Sequence, residues 1–142
     1  MQYFKGTAGT IYTIRINPDE DLLGSIEKFV EETGLKHGVI VTGIATFKNC
    51  ELHMVTTTTY PPVNYYDHMP NEPLELSALS GVIADGDIHM HMVVSNRKVA
   101  YSGHVEHGCT VLYLCEVVIM EIPDGNFRHA LDENNVKQLE PM

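Results

Sequence analysis

The sequence predicts a single α+β domain over residues 1–142, a mainly antiparallel sheet with one main packed helix. Three observations predict it. One segment, Asp21 to Thr33, carries a helical apolar period, with Leu22, Leu23, Ile26, Phe29 and Val30 on one face. Nearly everything after it reads as strand. No internal repeat, low-complexity stretch or linker divides the chain.

The elements follow in order. Thr10 to Ile16 alternates and is β-branched, a strand. Asn17-Pro18-Asp19-Glu20 breaks it and supplies capping and acidic residues for the helix, which Gly34 ends as a left-handed stop. Val39 to Thr46 and Glu51 to Thr58 read as two strands separated by a turn near Lys48-Asn49. Thr59 to Pro73 reads as a loop holding Pro61, Pro62, Pro70 and Pro73 with Tyr60, Tyr65 and Tyr66, and loops of that length are often functional or interfacial. Leu74 to Ala84 is a strand closed by the turn residues Asp85-Gly86-Asp87. Ile88 to Ser95 and Val99 to Gly103 flank Asn96-Arg97-Lys98 as a hairpin. Thr110 to Ile122 is apolar on both faces, hence a central strand covered on both sides.

Composition narrows the function classes. A chain of 142 residues buries roughly 70% of its unfolded surface without staples. With 44% hydrophobic residues it is too apolar for disorder. Nine Lys and Arg against 19 Asp and Glu give a formal charge of −10, which argues against a surface built to neutralise phosphates. Cys50, Cys109 and Cys115 are odd in number and lack Cys-x-x-Cys spacing, so neither a disulfide framework nor a cysteine zinc knuckle is indicated. No stretch approaches the about 20 apolar residues of a membrane helix, and Met1 to Gly6 lacks signal-peptide character. The expectation is a cytoplasmic protein without a membrane partner.

The eight histidines are the most informative residues. In Ile88-His89-Met90-His91-Met92, strand alternation turns His89 and His91 to one face and the apolar residues to the other. Two such imidazoles, about 6.5 Å apart at Cα, can converge on one ion. The return strand of the hairpin delivers His104 beyond Gly103 as a third ligand. Three neutral imidazoles leave an open position for water, most readily on zinc, with iron, nickel or copper as alternatives. The plain alternative is a set of polar strand residues facing solvent or satisfied in the core. His107 can add a fourth ligand or shuttle protons, Cys109 is a ligand or a small buried hydrophobe, and Asp85 and Asp87 orient an imidazole or simply make the turn. Glu75, facing inward near a metal water, can act as general acid or base, or equally be a solvated strand glutamate. His37, His53 and His68 read as solvated or structural, and His129 as a surface residue.

Taken together, several segments resemble the plants-and-prokaryotes-conserved (PPC) family. They are Asn17-Pro18-Asp19-Glu20-Asp21-Leu22-Leu23, Gly38-Val39-Ile40-Val41-Thr42-Gly43-Ile44, Leu74 to Gly81, His89-Met90-His91, and Gly103-His104 with Gly108-Cys109. Ser102 stands where the family has the first glycine of Gly-Gly-His, and Ala45 where a glycine is expected after Gly43. The resemblance implies a strongly curved antiparallel sheet with one helix, assembled as a homotrimer, and prokaryotic stand-alone members carry the label of predicted DNA-binding proteins. In plants the domain accompanies an AT-hook, whose Arg-Gly-Arg-Pro core is absent here. A trimer at −10 per chain would carry −30, opposing phosphate approach. The histidine layout is also similar to the zinc site of α-acetolactate decarboxylase, which implies His89, His91 and His104 as ligands. Two functions are therefore expected. One is a metal-binding PPC protein that binds or transforms a small carbonyl or carboxylate ligand, with Glu75 and His107 handling protons. The other is a DNA-binding or regulatory module with a structural metal or none.

Overall fold

A computed structural model describes residues 1–142. Strand β1 (Ile11–Ile16) is followed by helix α1 (Leu22–Thr33), then strands β2 (His37–Val55), β3 (Asn64–Met69), β4 (Leu74–Ala84), β5 (Asp87–Ser95), β6 (Ala100–Val105), β7 (Thr110–Glu121), β8 (Phe127–Leu131) and β9 (Lys137–Pro141). Seven strands form one antiparallel sheet in the order β1-β7-β2-β4-β5-β6, with β3 on the far half of β2. The β8–β9 hairpin is a separate two-stranded sheet.

Helix α1 starts where Asp21 caps it, its carboxylate accepting from the Gly24 amide at 2.8 Å. The same side chain accepts from the Gly108 amide at 2.7 Å, so one residue both opens the helix and fixes the β6–β7 connection. Gly34, at φ 69°, ends the helix in a conformation that glycine adopts without Cβ strain. Leu22, Ile26 and Val30 are buried against the sheet, and Phe29 meets Tyr12 edge-on at 5.0 Å.

Strand β2 corrects the sequence reading. It is one strand of 19 residues, and no turn interrupts it at Lys48-Asn49. The reason lies in the spacing of its core residues. Phe47 and Cys50 are three apart yet both fully buried, so the strand holds an extra residue between them. Register shifts against β7 occur there and at two further places, and such bulges bend and twist a strand without ending it. The bend lets β2 pair with β4 through His37–Ile40 and, at its far end, with β6 through Leu52 and His53. Strands β2, β4, β5 and β6 thereby close on themselves.

Two further segments differ from expectation. The loop read over Thr59 to Pro73 contains β3, paired with Cys50–Val55. It is an exposed edge strand in which only Met69 is buried, so it shows no alternation to read. The C-terminal hairpin β8–β9 was likewise not expected. Strand β7 lies between β1 and β2, with Val111, Cys115, Val117 and Ile119 buried. Its other face is not covered within the chain, where Tyr113 is 72% exposed and Leu114 43%. No helix is long and apolar enough to cross a membrane.

Candidate metal centre

The β5–β6 hairpin builds the site. Asn96 Oδ1 accepts from the amides of Lys98 (2.6 Å) and Val99 (3.0 Å), closing the turn that fixes the register of the two strands. Met90, Met92 and Val94 are buried on the core face of β5, which leaves His89 and His91 on the opposite face. In that register His104 stands directly opposite His91. On its other side, His104 stands directly opposite His53 of β2. The closure of the sheet therefore sets His91, His104 and His53 in one row across three adjacent strands.

The geometry suits a divalent ion. His89, His91 and His104 each offer a ligand atom, all within 4.8 Å of one another. His89 Nε2 and His91 Nε2 lie 3.3 Å apart. Ligands at about 2.0–2.1 Å from a tetrahedral ion stand about 3.3 Å apart along an edge, so this pair already spans one. The ring centroids of His104 lie 5.0 Å from His89 and 5.4 Å from His91.

Electrostatics keep the donors neutral. Burial lowers the pKa of His89, and the neighbouring His91 and His129 lower it further. Burial and then His53 lower that of His91. Burial, His53 and His89 push His104 down to about 4. All three imidazoles thus present lone pairs at neutral pH, as metal ligation requires. These shifts set an acid limit on the metal-free fold. The unfolded chain protonates these residues near their ordinary value of 6.5, whereas the folded chain resists until lower pH. The unfolded state then binds more protons, and stability falls with falling pH. Metal-free protein is expected to lose stability as pH drops from about 6.5 towards 4, read by chemical denaturation at several pH values.

Other residues take different places. Glu75 is exposed on β4, opposite Ser95, which lies four residues beyond His91 and about 13 Å along β5. His107 sits at the start of α1, its Nδ1 3.2 Å from Asp21 and its Nε2 3.4 Å from Glu27. Neither joins the cluster in its own chain. Cys109 is fully buried and accepts from the Glu51 amide at 3.4 Å. Asp85 pairs with Lys36, and Asp87 with His129 and Lys137. Partial burial works to raise the Asp87 pKa, but the Lys137 and His129 partners outweigh it and hold it below the usual range.

Three residues escaped the sequence reading. His129, expected at the surface, has a side chain only 4% exposed, with Nδ1 2.8 Å from Asp87 and its ring 5.7 Å from His89. The C-terminal hairpin carries it there, and with Lys137 it walls one side of the cluster. His53 stacks on His104 at 4.6 Å, with Nδ1 2.5 Å from Glu106 Oε1. A cleft of about 440 Å³ opens over the group, lined by His53, Asn64, His89, His91, His104 and Lys137 among others. No local pattern could have placed His53 or Glu106 here; the only sequence signal was that both are ligand-type residues.

A closed, curved antiparallel sheet with one helix and a histidine-lined cleft defines the class of protein. The chain belongs to the Plants and Prokaryotes Conserved (PCC) domain family, whose model matches residues 3–123, so the β8–β9 hairpin lies beyond the matched span. Solved structures share the fold. A metal-containing protein from Archaeoglobus fulgidus superposes with a TM-score of 0.83 at 23% identity, covering 99% of both chains. A plant- and prokaryote-conserved protein from Pyrococcus horikoshii gives 0.84 at 19% identity, covering 100% of this chain and 99% of that one. A candidate DNA-binding protein from Bacteroides thetaiotaomicron gives 0.74 at 18%, covering 97% and 96%. Among curated proteins, the bifunctional protein GlmU of Synechococcus sp. (strain JA-2-3B'a(2-13)) is 27% identical over 123 residues, 86% of this chain. The match covers only 18% of that relative's length.

Proposed function

We propose that this protein binds one divalent ion, zinc most readily, through His89, His91 and His104, and presents it to a small carbonyl or carboxylate ligand in the cleft. The observation that carries the reading is the convergence of three neutral imidazoles, those of His89 and His104 half-buried, with a 3.3 Å Nε2–Nε2 pair. The name of the Archaeoglobus relative, a metal-containing protein, points the same way. An ion held by three imidazoles with an open position would supply Lewis acidity to a bound carbonyl or carboxylate oxygen. The protein's own part is to hold the rings neutral and oriented and to wall the cleft with Lys137 and Asn64. The test is metal analysis of protein purified without a His tag, beside His89→Ala/His91→Ala. About one zinc ion per chain, absent from the double variant, is expected. Stoichiometric zinc that survives both substitutions contradicts the site.

A homotrimeric assembly completes the proposal. The exposed apolar residues Val41 and Ile44 on β2 and Tyr113 and Leu114 on β7 form a face that a partner copy would cover. Assembly also bears on protons, because Glu75 and His107 reach a cleft only if another subunit brings its copies to it.

A DNA-binding reading is favoured by the names of two similar structures, from Bacteroides thetaiotaomicron and Ralstonia eutropha. The charge distribution opposes it. Of nine Lys and Arg residues, Lys28, Lys36, Lys48, Lys137 and Arg128 are already ion-paired to carboxylates. No retention of random duplex is therefore expected even at low salt. Binding that weakens steeply with salt would reverse this ordering.

A further inference from the structure

The row of imidazoles continues past the three-histidine set. His53, His104 and Glu106 also offer one ligand atom each, all within 4.8 Å of one another. All three are partly buried, the side chains of His53 and Glu106 being 20% and 34% exposed. Their placement is fixed by backbone pairing. His53 opposes His104 across β2 and β6, and the Glu106 amide donates to the Glu51 carbonyl at 3.0 Å. Tyr66, opposite His53 on β3, closes the far side with its ring 5.3 Å away.

We propose that His53, His104 and Glu106 form a second divalent-cation position, adjacent to the three-histidine one and alternating with it. A neutral imidazole has a single free lone pair, so His104 serves one ion at a time and the chain still holds one. The two donor sets differ in chemistry. Both sets accept zinc, but exchanging one imidazole for a carboxylate makes the second set the harder one and raises its relative preference for Mn(II) or Fe(II). Neighbouring ligands of a six-coordinate ion at about 2.1 Å stand about 3 Å apart, so the 2.5 Å His53–Glu106 pair opens by about half an ångström to admit one. Metal identity would then decide which end of the row is occupied.

The test titrates metal-free protein with Mn(II), read by electron paramagnetic resonance, and separately with zinc. In His89→Ala/His91→Ala, Mn(II) binding is expected to persist, and adding Glu106→Gln is expected to weaken it at least about tenfold. A folded double variant that binds no Mn(II), or whose affinity ignores Glu106→Gln, overturns the proposal. Should the double variant fail to fold, Glu106→Gln alone decides. It is expected to weaken Mn(II) at least about tenfold in the otherwise intact chain while zinc changes by less than about threefold. Equal weakening of both ions makes Glu106 a structural partner of His53 and overturns the second position. The three-histidine reading fails separately, if the unaltered protein takes up no zinc.

Discussion

His104→Ala is expected to abolish tight divalent-ion binding, with zinc affinity falling by more than about 100-fold. Loss of a mere hydrogen-bond partner of a ligand typically costs about 10–100-fold. Here the lost group is a donor, and the other neighbour paired with His91 is Ser80, not a histidine. His104 is the one residue that opposes His91 on β5 and His53 on β2 at once, so it belongs to both candidate ligand sets. Removing it leaves His89 and His91, two residues apart on one strand, as a two-point site with no third donor across the hairpin. Competition against a zinc chelator measures the change. An affinity within a few-fold of the unaltered protein would place the ion elsewhere.

Gly103→Ala is the second large effect, expected to cost about 1–3 kcal/mol of stability and to loosen the metal site with it. A Cβ on Gly103 would stand 2.5 Å from the carbonyl oxygen of His53 and 3.1 Å from its carbonyl carbon. Those are main-chain atoms of the neighbouring strand, and they cannot turn aside as a side chain does. The contact between β6 and β2 is only two residue pairs long, Leu52 with Val105 and His53 with His104, so it is the part that yields. Separating the strands draws His104 from His53 and opens the closed sheet. Denaturant unfolding with and without zinc measures both consequences. Unchanged stability would mean that the approach of β6 to β2 is not tight.

The same glycine shows how far the sequence could be read. Ser102, where the family has glycine, is exposed, and its side chain meets no packing constraint. Ala45 is buried and keeps its pairing with Cys115 of β7, next to one of the register shifts. Gly103, retained, is the position where the backbone approach demands it. Helix α1, the alternation of His89 and His91, and the Asn96–Val99 turn were legible because each depends on residues within a few positions of one another. The continuity of β2 was not, because a bulge that keeps Phe47 and Cys50 on one face looks like a turn in a linear scan. His53, Glu106 and His129 were not legible either. The first two reach the cluster only when a bent strand closes the sheet, and the third only when a C-terminal hairpin folds back onto Asp87. What could be read was the set of candidate ligands close in sequence; their neighbours in space are set by pairings about 50 residues long.

The distribution of charge fits the same account. The excess of acidic groups is used in part to hold imidazoles and cations in place: Glu51 with His68, Glu106 with His53, and Asp87 with His129 and Lys137. The buried thiols take no part. Burial raises Cys115 to about 12, and the neighbouring Cys109 thiol, with burial, raises Cys50 far above the ordinary thiol range. Neither supplies a thiolate ligand at neutral pH. Imidazole nitrogen, with one carboxylate at the end of the row, is the donor chemistry this fold provides.

Anomalous diffraction at the zinc absorption edge, from crystals of tag-free protein grown with zinc, locates the ion. One strong peak per chain is expected about 2.0–2.1 Å from a ring nitrogen of each of His89, His91 and His104, with at least one further position open to solvent. A peak elsewhere, or three unliganded rings in contact with one another in zinc-saturated crystals, would contradict it.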